Sequence, residues 1–430
     1  MDVESTKQGS FKSTRMIERA EDLATSWAYK RAVHSETKGL ALLDNVQFIY
    51  ELALAELELQ ALGAEFKITN GLRRFDLLKV DDESQLLRRL AYFHSVNGTE
   101  TDYFKILQYN RTNSVNQYLT HWIYPYKGKF HPQMVRSLLN CLGLREGETV
   151  LDPFVGSGTT ALEAQLLGIN CVGIDASPLC VLQSKVKTES IGALNEIKRA
   201  ESVMPKRAPS PLYGEQDDLA GAIKSIQDEK VRNFFEMAKL VSVSDSARRH
   251  RDFYKSFSEN LQAMIQSVAD YVMVRDKLRL ALGSADVREG DARNLPMPDG
   301  SVDGIVTSPP YSIALDYVEN DKHSLKELGR DVESMRERLI GVRGPPRDRI
   351  GLYEQDMKRS IAEMYRVLRN GRSAAIVVGN ATYDSMEVET VQFTVKEAEK
   401  VGFRLANNID KIIFGLYNVM RKENILVFQK

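Results

Sequence analysis

Cysteine is scarce in this chain: Cys141, Cys171 and Cys180 are the three among 430 residues. They form no CxxC pair and stand near no histidine at metal-ligand spacing, so they indicate neither a zinc site nor a disulfide framework and suit a reducing, cytoplasmic setting. Long apolar runs are missing too. The most apolar window, Leu40 to Leu62, is interrupted by Asp44, Glu51, Glu56 and Glu58, so no membrane span is expected. Met1 to Arg19 lacks the apolar centre of an export signal. Neither sign of charge dominates, since 58 Lys and Arg against 59 Asp and Glu leave a net charge of -1. Any attraction to phosphate must therefore come from a local basic face. Charged residues at 27% and hydrophobic ones at 43% give an ordinary globular composition, and the length allows two or three domains. No internal repeat is visible.

What is present is concentrated in two stretches. Val150 to Pro178 reads as strand (Val150-Leu151), tight turn (Phe154-Val155-Gly156-Ser157-Gly158), helix (Thr159 to Leu167) and second strand (Cys171 to Ile174) closed by Asp175. The two glycines let backbone approach a ligand with no Cβ in the way. Asp175 falls where a second strand delivers a carboxylate to a ribose diol. The plainer reading is a turn that merely joins strand to helix. The second stretch, Thr307-Ser308-Pro309-Pro310-Tyr311, follows the apolar run Val302 to Val306 and puts a Pro-Pro pair where a strand hands over to a loop.

Together these motifs resemble the S-adenosylmethionine-dependent DNA amino-methyltransferases, and the Ser-Pro-Pro-Tyr form resembles those acting on the N4 amine of cytosine. The resemblance covers about half of the chain. It implies an α/β fold with a Rossmann-like class I methyltransferase sheet, and S-adenosyl-L-methionine as cofactor. By the same resemblance the turn of Phe154, Gly156 and Gly158 takes the methionine portion and Asp175 the ribose hydroxyls. Asp291, followed by Ala292, takes the adenine amine, and Asp152 favours the cationic sulfonium. Each aspartate has an alternative role as helix N-cap or turn residue.

An exocyclic amine shares its lone pair with the ring and is a poor nucleophile. Acceptance of its hydrogens by Ser308 and the Pro309 carbonyl would aim that lone pair, with Pro310 stiffening the loop and Tyr311 offering a flat face to a flipped base. No metal is implied. The implied partner is double-stranded DNA, with a cognate restriction endonuclease as a further one. The alternatives are adenine N6 in DNA, guanosine N2 in tRNA, and a silent subunit that only grips nucleic acid.

The rest of the chain is read from its pattern. Met1 to Lys38 is a polar lead-in. A helix is expected over Leu40 to Leu62 and stopped by Gly63, strands at 66–68 and 75–78 around Asn70-Gly71, and a helix over Leu86 to Phe93. They make residues 1–111 a small α+β N-terminal module, which resembles RNA-binding modules of some tRNA guanosine methyltransferases. Residues 112–188 and 284–430 form the methyltransferase domain. In it His121 to Gln133 opens a helix over Met134 to Leu142 and, by the resemblance, covers the methionine part of the cofactor. Residues 189–283 read as a helical insertion, with breaks at Met204 to Tyr213 and Ser242 to Ser246, that is a lid or a target reader. Arg248, Arg249, His250, Arg251 and Lys255 form its most basic cluster, either a phosphate contact or a solvated helix face. Further on, a strand is expected at Val287 to Glu289, a helix over Ile361 to Leu368 ended by Gly371, a buried strand at Ser373 to Val378, a helix over Val391 to Val401 and a closing antiparallel pair, Phe403 to Phe414 with Glu423 to Phe428.

Overall fold

The computed structural model describes residues 39–69, 71–110, 116–205, 218–310, 316–383, 386–414 and 420–430. The polar lead-in, most of the Pro-rich stretch and Tyr311 lie outside the described residues.

The chain first builds a five-stranded antiparallel sheet from β1 (Leu40–Leu42), β2 (Ala64–Thr69), β3 (Arg74–Val80), β4 (Phe93–Val96) and β5 (Thr99–Glu100), in the order β2-β3-β1-β4-β5. Two expected helices are shortened by this pairing. Leu40–Leu42 is strand, because β3 and β4 take up its backbone on both sides, a non-local gain that leucine spacing cannot show. The helix starts only at Ile49, where Glu51 accepts the backbone N–H groups of Gln47 (2.7 Å) and Phe48 (3.0 Å), and it runs to Ala61. Likewise the helix Glu83–Arg89 begins on the Asp82 cap and ends before Leu90, releasing Phe93 into β4.

Glu58, fully buried on the first helix, accepts the backbone N–H of Ala91 and Tyr92 and the Asn140 amide, tying this sheet to the helix Pro132–Cys141. Burial pushes its carboxyl up to about 7. One hydrophobic core runs without interruption from the small sheet into the large one.

The large sheet consists of β6 (Thr149–Asp152), β7 (Asn170–Asp175), β8 (Ala285–Glu289), β9 (Val302–Thr307), β10 (Leu368–Gly379), β13 (Arg404–Phe414) and β14 (Met420–Gln429), while β11 (Ala381–Tyr383) and β12 (Met386–Val388) form a separate hairpin. Its order is β13-β14-β10-β9-β6-β7-β8. The pairs from β8 to β10 are parallel, and β14 is antiparallel to both of its neighbours. Every residue of β9 is buried, as a central parallel strand requires. Since β6 lies between β7 and β9, the order reverses there, and ligands of such sheets sit at the carboxyl ends of the strands beside that reversal.

The helix expected to end at Gly371 stops at Val367 instead. Leu368 pairs with Val302, and Gly371, at φ 75°, sits in the register irregularity before Ser373.

In the insertion, helices Leu194–Glu201, Asp218–Ser225, Glu229–Arg249 and Phe253–Leu278 share a core that includes Phe234, Phe235, Met264 and Val268 and extends to Val318 and Leu325 near the site. The expected break at Ser242 to Ser246 is absent. Ser242 donates to the Ala238 carbonyl (2.8 Å) and faces the core. Asp228 caps a new helix inside a stretch that reads as continuous, and the second turn falls at His250, φ 54°. No described helix is long and apolar enough to cross a membrane.

Candidate functional site

Asp152 ends β6 with its carboxylate buried. It accepts from the Thr307 hydroxyl (2.6 Å) and the Phe154 N–H (3.1 Å), so it pins the tips of β6 and β9 together at the order reversal. Burial, only partly offset by those bonds, pushes its carboxyl up to about 6. The turn that follows has Gly156 at φ 48° and Gly158 at φ 77°. The two glycines differ in purpose. A Cβ on Gly158 would lie 2.9 Å from the Ser184 Cα, so that glycine is demanded by packing, whereas one on Gly156 would come no closer than 3.4 Å to a neighbour, the Tyr126 ring.

Asp175 closes β7 and braces the turn, accepting Gly156 N–H on one oxygen and Ser177 N–H on the other, both at 2.9 Å. Each carboxylate oxygen has a second lone pair for a ribose hydroxyl. Desolvation holds this group up at about 6, against the pull of the backbone N–H groups. The sequence reading missed the clamp behind the turn. On the helix Pro178–Glu189, Gln183 (3.0 Å) and Ser184 (3.1 Å) donate to the Gly156 carbonyl, and Lys187 donates to the Ser157 carbonyl (2.7 Å). Lys187 is fully buried, and burial holds its amine well below the usual lysine range. Its sequence signal is polar residues one, three and four positions apart on the helix that follows Asp175.

Asp291 and Ala292 follow β8. Burial alone would raise the Asp291 carboxyl, but hydrogen bonds from Arg293 outweigh it and the group is held low. Arg293 grips both oxygens (2.8 and 2.7 Å) and reaches on to Asp356 (3.1 Å), so an adenine amine would meet the lone pairs left over. Ala292 is buried.

Beyond β9, the Ser308 hydroxyl donates its proton to the Val377 carbonyl of β10 (3.1 Å). Toward anything else the oxygen is therefore an acceptor. Pro309 is buried and Pro310 half-buried.

One cavity of about 1060 Å³ is bordered by Asp152, Phe154, Gly156, Asp175, Asp291, Ala292, Ser308 and Pro310, with Gly158 and Pro309 next to lining residues in the chain. Further chain segments complete it. Tyr317, on the helix Tyr317–Glu327 that follows the 308–311 loop, lies nearly parallel to Tyr126, with centroids 6.2 Å apart and planes at 16°. Asp321 of the same helix accepts from Tyr124 (3.1 Å), and burial raises it to about 6. Lys129 donates to the Asn116 and His121 carbonyls (2.7 Å each), and burial lowers it to about 7. Tyr50, Lys411 and Glu423 border the far end. The segment 121–133, expected to flank the turn, does so through Tyr126, Lys129 and Phe130.

A turn without Cβ atoms at Gly156 and Gly158, carboxylates at the tips of β6 and β7, and a mostly apolar cavity beside the reversal fit a cationic nucleoside cofactor. The seven-stranded sheet with its order reversal at β6 is the Rossmann-like fold of class I methyltransferases. A family model described as a DNA methylase, of the N6 and N4 amino type, matches residues 9–185. The type II methyltransferase M.BsoBI of Geobacillus stearothermophilus is 27% identical over 304 residues, 57% of this chain and 59% of that one. The tRNA (guanine(10)-N2)-dimethyltransferase of Methanothermobacter thermautotrophicus is 29% identical over 125 residues, 27% of this chain and 32% of its own. Among solved structures, a SAM-dependent methyltransferase of Methanosarcina mazei aligns over 67% of this chain and 94% of that one, with a TM-score of 0.32 and 12% identity. The chain thus spans less than two thirds of the length of these curated relatives. Over residues 9–185 the chain is similar to the DNA amino-methyltransferases, a likeness that implies S-adenosyl-L-methionine as cofactor.

Proposed function

We propose that this chain methylates the exocyclic N4 amine of cytosine in double-stranded DNA. The observation that carries the reading is the orientation of Ser308. Its hydroxyl donates to the Val377 carbonyl, and Ser308 borders the same cavity as Gly156 and Asp175, where its oxygen would accept an amine hydrogen. Bound S-adenosylmethionine would supply an electrophilic methyl on a sulfonium sulfur. Asp175 would hold the ribose hydroxyls, Asp291 and Ala292 would meet the adenine, and Phe154 and Gly156 would border the methionine part. The carboxylates of Asp152 and Asp175 favour positive charge nearby.

Ser308 and the Pro309 carbonyl would accept the two amine hydrogens, turning the nitrogen lone pair toward the methyl carbon. The nitrogen lone pair would form the new N–C bond as the C–S bond pair returned to sulfur, and the extra proton on nitrogen would pass to water. Tyr311 would stack on the base. Residues 1–111, 112–188 with 284–430, and 189–283 would serve as support, catalytic domain and target-facing insertion. A cytoplasmic setting and a cognate endonuclease belong to the same proposal.

The reading is tested by transferring labelled methyl groups to unmodified DNA and to tRNA and digesting the products. N4-methylcytosine is expected in the DNA. N6-methyladenine alone would shift the target base, and label confined to tRNA would overturn the proposal in favour of guanosine N2.

A further inference from the structure

At the end of the cavity away from Asp291 stands a charged pair that the chemistry above does not use. Lys411 of β13 pairs with Glu423 of β14, and both border the cavity. Lys411 is 8% exposed. Taking two opposite charges out of water seldom stabilises a fold more than apolar packing would, so this pair calls for a role beyond holding a hairpin.

The strand register shows where it points. Ser308 follows Thr307, which pairs with Ile376, and its hydroxyl hooks onto Val377. Two residues further up, Gly379, Glu423 and Lys411 form a single rung across β10, β14 and β13, beyond the rung of Val377, Ile425 and Ile409. Residues two apart on a strand share a face. Val377 and Ile425 belong to the core that the N-terminal sheet and its helix complete, so Lys411 and Glu423 rise on that face toward Tyr50. From the tip of β9 to β14 is two strand spacings, about 10 Å. A six-membered base ring with a hydrogen bond of about 3 Å at each end also spans on the order of 10 Å. Lys411 lies one strand further out on β13 and reaches back to Glu423, so the backbone span from Ser308 to the charged pair, two to three strand spacings or about 10 to 15 Å, leaves room for one base between the side chains.

An ammonium carries three donors and no acceptor. Along one edge of cytosine the N4 amine is followed by N3 and O2, both acceptors. In adenine the amine is followed by a single acceptor and a C–H, and in guanine the N2 amine is followed by an N–H, which an ammonium would repel. We propose that Lys411, held in place by Glu423, is the base-reading residue of this enzyme, donating to N3 and O2 of the cytosine whose N4 amine sits at Ser308. Tyr50 borders the cavity beside it and would bring the N-terminal helix Ile49–Ala61 into contact with the target base. The inference rests on the cytosine reading above and assigns the group that makes the choice.

The test uses the full chain, labelled S-adenosylmethionine and unmodified genomic DNA fragments. Lys411→Met should lower kcat/KM for methyl transfer to cytosine roughly 10- to 100-fold, the loss of one or two hydrogen bonds from a charged donor. Cofactor affinity by calorimetry should stay close to that of the wild type. Because Lys411→Met leaves Glu423 buried alone, the double variant Lys411→Met with Glu423→Gln is measured as well. It should regain the wild-type melting temperature without regaining transfer. A double variant that methylates cytosine at the wild-type rate would show that the pair only fastens the hairpin, and would overturn this proposal while leaving the function intact. Wild-type protein that labels only guanine N2 in tRNA would overturn both, with Glu423 as the natural acceptor for the guanine N1–H.

Discussion

The two ends of the cavity are built on different principles. At the cofactor end, the turn after β6 is held by backbone and by its own neighbours: Gly156 N–H on Asp175, its carbonyl on Gln183 and Ser184, and the Ser157 carbonyl on buried Lys187. All of these lie between Val150 and Glu189. At the amine end, Ser308 and Pro310 share the cavity with side chains from distant parts of the chain, Tyr50 from the N-terminal helix, Tyr126, which also meets the Gly156 turn, from the segment before β6, Asp321 from the helix after the loop, and Lys411 and Glu423 from the closing hairpin. One end is fixed by continuous local structure and binds a ligand common to a family. The other is assembled at the meeting of five segments, where single changes can alter the target without disturbing the fold.

Substitutions should expose this contrast. The largest effect belongs to Gly158→Val, which forces a β-branched residue to φ 77° with its Cβ 2.9 Å from Ser184 Cα. A loss of at least about 3 kcal/mol of stability is expected in urea denaturation, together with cofactor binding. Next comes Ser308→Ala, expected to reduce methyl transfer about 100-fold, some 2.7 kcal/mol. Cofactor affinity measured by calorimetry should stay within about threefold of wild type. Equal losses in both would mean that the two ends are not separable.

The pH dependence is smaller. Asp152 and Asp175 are raised to about 6 from the usual carboxylate value, so the folded protein binds more protons than the unfolded chain between about 4 and 6. Stability of the cofactor-free protein from these groups accordingly falls as pH rises through that window. Affinity for a cation runs the other way: it should weaken as pH is lowered through 6, by up to about tenfold per unit for each group that protonates. Asp175→Asn should flatten the calorimetric profile, and a profile unchanged by that substitution would remove Asp175 from the account. The smallest effect is expected for Lys127→Ala, which cuts an exposed contact to Asn320 (2.7 Å) between the segment before β6 and the helix after the 308–311 loop. Thermal melting should register no more than about 0.5 kcal/mol.

Most of the residues read from the sequence as cofactor-binding border one cavity, because a glycine turn and an aspartate one strand later are tied by short-range geometry. The parallel strands, the closing hairpin and the strand at Val302 to Val306 were legible as periodic or continuous apolar runs. Leu40–Leu42 was not, since its strand character comes from two partners more than thirty residues away in the chain. Lys187 was hidden because an isolated lysine on a helix ordinarily points to water, and only the structure shows it turned inward under the Ser157 carbonyl. Lys411 and Glu423 were invisible for another reason: their importance comes from rungs of the sheet that align them with Gly379, and alignment across three strands has no signature along one of them.

The central claim is that Gly156 and Ser308 serve one reaction from opposite walls of one cavity. A crystal structure of the chain with S-adenosylmethionine tests it most directly. The account predicts ribose hydroxyls at Asp175 and a methyl carbon about 6 Å from the Ser308 oxygen, the room of one amine nitrogen with its hydrogen bond and its line of attack. A methyl group directed away from Ser308, or cofactor bound outside the cavity, would contradict it.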